Sequence, residues 1–234
     1  MTVKYKEVTC PRCGSLSVKK NGTTANRKQR FKCKDCSRQF ILDYTYQGCR
    51  PELRQLIVPM TLNGSGISDI CRVLKVSTNT VLKTIRQQAA RIAEPVVPAR
   101  ITELEIDEMW SFVGKKENPC WLWYGFDASR QKVVCWYLGR RTDESCKRLL
   151  EQLNSCHVMR YCTDELESYQ KFLPPAQHWV GKEGTQRIER NNLNFRTHLK
   201  RLQRQTICFS KADDMHHAVT KLYIKHLNDR QHLL

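Results

Sequence analysis

The sequence predicts a multidomain α/β protein: a small N-terminal ribbon over residues 1–48, a helix-turn-helix over 49–92, a linker over 93–100 and an α/β domain over 101–234. Three observations carry this. Cysteines near the start come as two Cys-x-x-Cys pairs. Apolar residues over 64–88 recur at helical spacing in two successive segments. From Ile101 onward, strand-like apolar runs alternate with amphipathic helical stretches. A chain of 234 residues is long enough for two or three such units.

Cys10 and Cys13 form the first pair and Cys33 and Cys36 the second, with 19 residues between them. Each turn points two thiolates at one centre, and two turns complete a tetrahedral shell for Zn²⁺. Lysines and arginines around both pairs favour the thiolate. CPRCGS, KNG and RFKCKDCSRQF together read as a zinc ribbon; coincidental pairs or a redox dithiol are the alternatives. Four thiolates leave no open position, so the expected zinc is structural. The opening MTVKYKEVTC has no apolar targeting segment, so reduced thiols are expected rather than disulfides. Cysteines 49, 71, 120, 135, 146, 156, 162 and 208 lack ligand spacing and read mostly as small core residues.

In the next segment Ile67, Ile70, Cys71 and Leu74 share one helical face. Lys75-Val76 makes a turn, Ser77 caps a second helix, and Val81, Leu82 and Ile85 pack it. Thr78, Asn79, Thr80, Lys83 and Arg86 then point outward. Short polar groups near a helix N-terminus suit base edges in a major groove, while Lys83 and Arg86 suit phosphates. An ordinary helical hairpin would share the apolar pattern; the adjacent basic ribbon favours DNA reading. The proline-marked AEPVVPAR, residues 93–100, is the linker.

ELEIDEMWSFVG, CWLWYGFDA and KVVCWYLG read as three strands joined closely enough for an antiparallel meander. TDESCKRLLEQL is an amphipathic helix capped by Thr142 or Asp143. HVMRYCTD is a fourth strand, ELESYQKFL a short helix, HWVG a fifth strand, and the stretch from Thr185 opens a long helix. Trp110, Phe112, Trp121, Trp123 and Tyr124 read as core rather than as a stacking platform for bases. Histidines 157, 178, 198, 216 and 217 show no metal spacing, and His216-His217 reads as surface or DNA-proximal.

The formal net charge is +17. Residues 1–100 hold 19 Lys/Arg and 6 Asp/Glu, net +13, which leaves +4 for the remainder. Such an excess favours a polyanion, most often nucleic acid. No run of 18 apolar residues exists, so no transmembrane helix and no membrane partner are expected, and the expected location is cytoplasmic and nucleoid-associated.

TQRIERNNLNFRTHLKRL, residues 185–202, is strongly basic but carries one acid, Glu189. A carboxylate there repels nucleic acid unless a cation neutralises it. Ile188, Phe195, Leu199 and Leu202 form the buried stripe, Glu189 sits at its edge, and Arg196 and Lys200 continue the face of Glu189. Asp107 lies in the first strand beside Glu108, and Asp164 follows the fourth strand, where α/β ligand sites collect. Asp107, Asp164 and Glu189 could bind two divalent cations suited to phosphoryl displacement, with Arg187, Arg190, Arg196 and Lys200 on DNA phosphates. Alternatively, Glu189 is only an intrahelical ion-pair partner and Asp107 a strand-edge charge.

EIDEMWSFVG, YCTDELESY and TQRIERNNLNFRTHLKRLQRQTICFSKADDMHHAV resemble the transposase of the insertion-sequence-one family of bacterial mobile elements. The ribbon and NGSGISDICRVLKVSTNTVLKTI resemble the end-binding region of that family, so the resemblance covers nearly the whole chain. It implies a ribonuclease-H-like catalytic core of the DDE type, with the aspartates at Asp107 and Asp164, the glutamate at Glu189 and a basic residue at Arg196. It further implies Mg²⁺ or Mn²⁺, binding of terminal inverted repeats and target DNA, 3′-end cleavage and strand transfer, and a homodimer or larger synaptic assembly. Two alternatives stand beside it: a zinc-dependent DNA-binding regulator with an inactive α/β domain, and a nuclease that cuts without joining.

Overall fold

The computed structural model describes residues 8–42 and 46–230; the side chains of residues 49 and 230 are outside that set, so the expectation for Cys49 lies outside the described residues. The chain divides into two compact units, Met1–Cys49 and Arg50–Leu234.

In the first unit, β1 (Val18–Thr23), β2 (Gln29–Cys33) and β3 (Gln39–Ile41) form an antiparallel sheet in that order. One cysteine pair precedes β1 and the other closes β2. In each, the residue after the second cysteine is left-handed: Gly14 at φ 72° and Ser37 at φ 56°. That conformation closes the knuckle, and at Gly14 it carries no Cβ strain. The buried apolar core is small, made of Cys10, Cys33 and Phe40.

The second unit begins with four helices: α1 (Pro51–Gln55), α2 (Ile57–Leu62), α3 (Ile67–Leu74) and α4 (Thr78–Ala90). Lys75 adopts φ 53° at the α3–α4 turn. Ser77 caps α4 by accepting the Thr80 N–H. The strands follow: β4 (Arg100–Phe112), β5 (Pro119–Asp127), β6 (Lys132–Gly139), β7 (His157–Thr163) and β8 (His178–Val180), in spatial order β6-β5-β4-β7-β8. β4, β5 and β6 are an antiparallel meander, while β7 runs parallel to β4 and β8 parallel to β7. This is the expected five-stranded mixed sheet. Helix α5 (Asp143–Glu151) starts from Thr142, whose hydroxyl accepts the Ser145 N–H, and α6 (Glu167–Phe172) follows β7.

The two sheet faces bury different partners. Leu104, Ile106, Trp123 and Cys135 pack with Cys146 and Leu149 of α5 and Tyr169 of α6. On the other face Met109, Tyr124 and Trp136 meet α7 (Gln186–His198) and α8 (Asp213–Arg230). Trp123, Tyr124 and Phe112 are core as expected; Trp110 and Trp121 are half-buried. Val81, Ile85 and Ala89 of α4 share the core of Val219, Leu222 and Tyr223 of α8, so the helix-turn-helix and the sheet are one packed body.

Three expectations change. The long helix from Thr185 stops at His198, because Leu199 is extended at φ −116° and ψ 97°. Helix α8 is additional; it buries residues on most sides and so shows little amphipathic contrast in sequence. His216 is not a surface residue but 1% exposed, with its ring nitrogens bonded to Ser111 and Ser210. Among the described residues, no helix is long and apolar enough to cross a membrane.

Candidate acid centre and nucleic-acid face

The pairing of β4 and β7 sets Glu105 opposite Cys162. Two residues further on, Asp107 of β4 comes level with Asp164, which emerges just past the end of β7. Among the described residues, carboxylate oxygens of Asp107, Glu108 and Asp164 lie within 4.8 Å of one another. Glu189, in the first turn of α7, is not in that trio, but its charge acts on Asp107 together with that of Asp164. The charge of Asp107 likewise acts on Arg196, two turns along α7 from Glu189. Of the three expected acids, Asp107 and Asp164 cluster; Glu108 is the third carboxylate of that group, and Glu189 lies outside it.

Asp107 is tightly held. Its Oδ1 accepts the Glu108 N–H at 2.8 Å and its Oδ2 accepts from Asn192 Nδ2. Asn192 Oδ1 in turn accepts from the Tyr124 hydroxyl at 2.8 Å. Glu108 points to the opposite sheet face, where Arg141 pairs with it at 2.7 Å and the Tyr169 hydroxyl donates at 2.8 Å. Burial pushes the Asp107 carboxyl up to about 6, against hydrogen bonds that lower it and with Asp164 and Glu189 raising it further. Burial likewise pushes Glu108 up to about 7.

Those raised values fix a pH dependence. An acid whose pKa is higher in the folded than in the unfolded chain stabilises the fold below about pH 4 and loses that contribution as pH climbs through 6 to 7. Without added divalent cation, thermal stability of the Arg50–Leu234 unit is expected to fall between pH 5 and pH 8, by about 1–3 kcal/mol for each acid. Asp107→Asn should flatten that fall. A melting temperature that rises over the same range would refute this reading of the two acids.

Sequence reading missed Asn192, Glu108 as a clamped neighbour, and Glu105. Glu105 is fully buried; its carboxylate accepts the Ile188 N–H at 2.7 Å and fixes the first turn of α7 beside Glu189. Asn192, one turn after Glu189, was legible only as helical spacing.

The expected phosphate-binding residues divide. Arg187, half exposed, is held by Glu103 at 2.9 Å and Glu105 at 3.0 Å, on the side of α7 away from Glu189. Arg190 is exposed and lines a separate cavity with Arg187 and Gln131. Lys200 leaves the face of Glu189 because α7 ends before it, and lies 3.7 Å from Asp69 of α3. Arg86, half exposed, is paired with Asp214 of α8 at 2.6 Å, an ion pair that ties α4 to α8. Thr78 and Asn79 are exposed at the start of α4, and Asn79, Thr80 and Lys83 line one hollow with Arg54.

In the ribbon, Cys10 and Cys36 sulfurs are 3.5 Å apart and Cys13 and Cys33 sulfurs 3.6 Å, with all four within 4.8 Å. A tetrahedral zinc with bonds of about 2.3 Å sets its sulfurs about 3.8 Å apart, so the four cysteines fit one. Burial opposes ionisation of Cys10, but N–H groups of Arg12 and Cys13 and the neighbouring thiols hold it down to about 6. Asp107 and Asp164 offer oxygen donors, the type a hard divalent cation takes, while the oxygens of the neighbouring Glu108 are engaged by Arg141 and Tyr169.

A mixed sheet in this order, with one acid midway along β4, a second just past the end of its parallel neighbour β7, and a helix-turn-helix on the same body, is the build of a DDE-type DNA transposase. Comparison with known proteins agrees. The family described as IS1 transposase matches residues 100–229, the InsA C-terminal domain matches 44–88 and the InsA N-terminal domain matches 6–37. The insertion element iso-IS1n protein InsB of Shigella dysenteriae is 44% identical over 124 residues, covering 53% of this chain and 95% of that relative. The insertion element IS1 9 protein InsB of Escherichia coli (strain K12) and the IS1 protein InsB of Haemophilus ducreyi are each 38% identical over 151 residues, covering 63% of this chain and 89% of theirs. An overlap with a solved chain of the simian T-cell lymphotropic virus intasome in complex with PP2A regulatory subunit B56 gamma has a TM-score of 0.36 at 15% identity, covering 71% of this chain and 66% of that one, and is too loose to place any residue. The chain belongs to the IS1 transposase family.

Proposed function

We propose that the protein binds the terminal inverted repeats of its insertion element, cuts beside the 3′ end and joins that end to target DNA. The observation that carries this is the strand register: it sets Asp107 and Asp164 side by side with Glu189 and Arg196 in electrostatic reach. Asp107, Asp164 and Glu189 would hold the divalent cations, Mg²⁺ or Mn²⁺, which would supply Lewis acidity for phosphoryl displacement.

The chain's own residues do the rest. Asn192 and the Glu108 N–H fix the Asp107 carboxylate, so its lone pairs are already aimed before DNA arrives. Arg196 offsets charge on the phosphate under attack. Glu105 sets the first turn of α7 and with it the position of Glu189. Thr78, Asn79 and Thr80 face base edges, with Lys83 on the flanking phosphates. In the first step a water oxygen bonds to phosphorus and the 3′ oxygen leaves. In the second that 3′ hydroxyl attacks a target phosphodiester, so one ester bond forms as one breaks. No covalent bond to protein is needed, which leaves Tyr161, Ser168 and Tyr169 without a nucleophilic role. Two ends must meet, so a homodimer or larger assembly acts, and its site of action is the bacterial nucleoid.

The test is purified zinc-loaded protein, Mg²⁺ and labelled DNA from the ends of the parent element. Nicks at the 3′ ends and strand-joined product are expected. Cutting without joining would make the protein a nuclease; specific binding with no cutting under any divalent cation would make it a regulator.

A further inference from the structure

A cavity of about 440 Å³ opens between α3, α4 and the segment 199–212, within the range of small-ligand pockets of about 300–1,000 Å³. Four basic residues, Arg86, Lys200, Arg201 and Lys211, line it against one acid, Asp69. Arg86 and Lys200 already have acidic neighbours. Arg201 does not. It is only 8% exposed, and among the described residues the guanidinium has one hydrogen bond, from Nη1 to Ser210 Oγ at 3.0 Å, and no ion-pair partner. Among the described residues none of its remaining nitrogens is both sealed from solvent and unsatisfied, and Arg201 lines the cavity.

The hydrogen bond that Arg201 does make is part of a directed chain. A guanidinium only donates and a carbonyl only accepts, so every proton between them is placed. Ser210 accepts from Arg201 and donates to His216 Nδ1 at 2.8 Å; His216 Nε2 donates to Ser111 Oγ at 3.1 Å; Ser111 donates to the Cys120 carbonyl. Burial, with Arg201 adding to it, pushes the His216 pKa down to about 4, so the imidazole is neutral. The chain aims Arg201 without giving it a counter-charge. A buried cation with no counter-ion is costly unless an anion arrives.

We propose that this cavity seats a backbone phosphodiester of bound DNA, with Arg201 as its central donor. Thr78, at the start of α4, is on the cavity wall, so the strand read by α4 passes the opening. Arg201 belongs to the catalytic part of the unit. One duplex is therefore gripped by the reading helices and by the core at a single phosphate. The inference rests on the proposal that α4 binds duplex DNA.

The full zinc-loaded chain and a fluorescein-labelled duplex from the parent element's end test it, with Kd followed across a salt series. Arg201→Gln is expected to weaken binding about tenfold and to lower the slope of log Kd against log salt by about one unit. Ser210→Ala keeps the charge and should weaken binding with the slope unchanged. Removing an uncompensated buried charge leaves the melting temperature of Arg201→Gln equal or higher. Should that variant lose its fold, Lys211→Ala on the exposed rim carries the same slope test. Inorganic phosphate is the second probe, and it should raise the melting temperature of the wild type but not of Arg201→Gln. Phosphate stabilisation lost in the variant with an unchanged DNA slope would make this a free-phosphate site and overturn the proposal. Wild-type binding with an unchanged slope and no phosphate effect overturns it too. If the wild type binds no duplex at all, the assignment of α4 fails with it.

Discussion

Asp164→Asn is expected to abolish cleavage and joining while leaving duplex binding within about twofold of wild type. Asp164 is exposed, and among the described residues its carboxylate accepts one hydrogen bond, from the Leu166 N–H at 3.1 Å. An asparagine oxygen can keep that bond, so the backbone past β7 stays in place. What is lost is a negative oxygen donor level with Asp107. Cation-borne charge stabilisation of several kcal/mol corresponds to a rate loss of roughly 10³-fold or more. The DNA-reading surface of α4 lies on a different part of the unit and is untouched. The check is a gel assay for nicked and joined product beside an anisotropy titration of the same DNA. Activity within tenfold of wild type would remove Asp164 from the centre. Loss of binding together with activity would make it a structural residue.

Removal of zinc should melt the ribbon and spare the other unit. The described buried core of the ribbon is Cys10, Cys33 and Phe40, and two of those three are thiols aimed at the metal centre. A unit this small lacks the apolar burial to offset its chain entropy. Structural zinc in comparable small units contributes about 10 kcal/mol or more to folding. Cys33→Ser, or chelation, should therefore release the three strands and weaken DNA binding, because a basic folded surface is lost. Residues 50–230 have their own two clusters of buried side chains and should keep their thermal transition. Zinc analysis with circular dichroism and a DNA titration checks this. A ribbon that stays folded without metal would defeat it.

Much of this was readable from the sequence because the signals were local. Cysteine spacing specified the ribbon, and apolar periodicity with Ser77 as cap specified α3 and α4. Alternating strands and helices gave the sheet, and the ends of its parallel strands drew attention to Asp164. What stayed hidden depended on partners far along the chain. Arg187 looked like a phosphate ligand because nothing nearby on its helix neutralises it; Glu103 and Glu105, more than 80 residues earlier, do so. Arg86 meets Asp214, 128 residues away. His216 reads as surface or DNA-proximal in the sequence because a polar side chain gives no local sign of burial. Its two serine partners come from β4 and from the loop before α8. Helix α8 itself is hard to see because it is packed on most sides, and its polar face is a narrow line of one residue per turn, His217, Lys221, Lys225 and Asp229.

The joint packing of α4 and α8 has a thermodynamic consequence. Helices that share buried side chains cannot unfold separately, so the reading helices and the acid-bearing sheet melt in one cooperative step. Any duplex that binds α4 then stabilises the whole body by mass action, about 2.7 kcal/mol at a hundred times Kd. On the proposed function, the acid-bearing strands would be most stable against unfolding when DNA is in place. Recognition would then be linked to the stability of the acid-bearing sheet through one folding equilibrium.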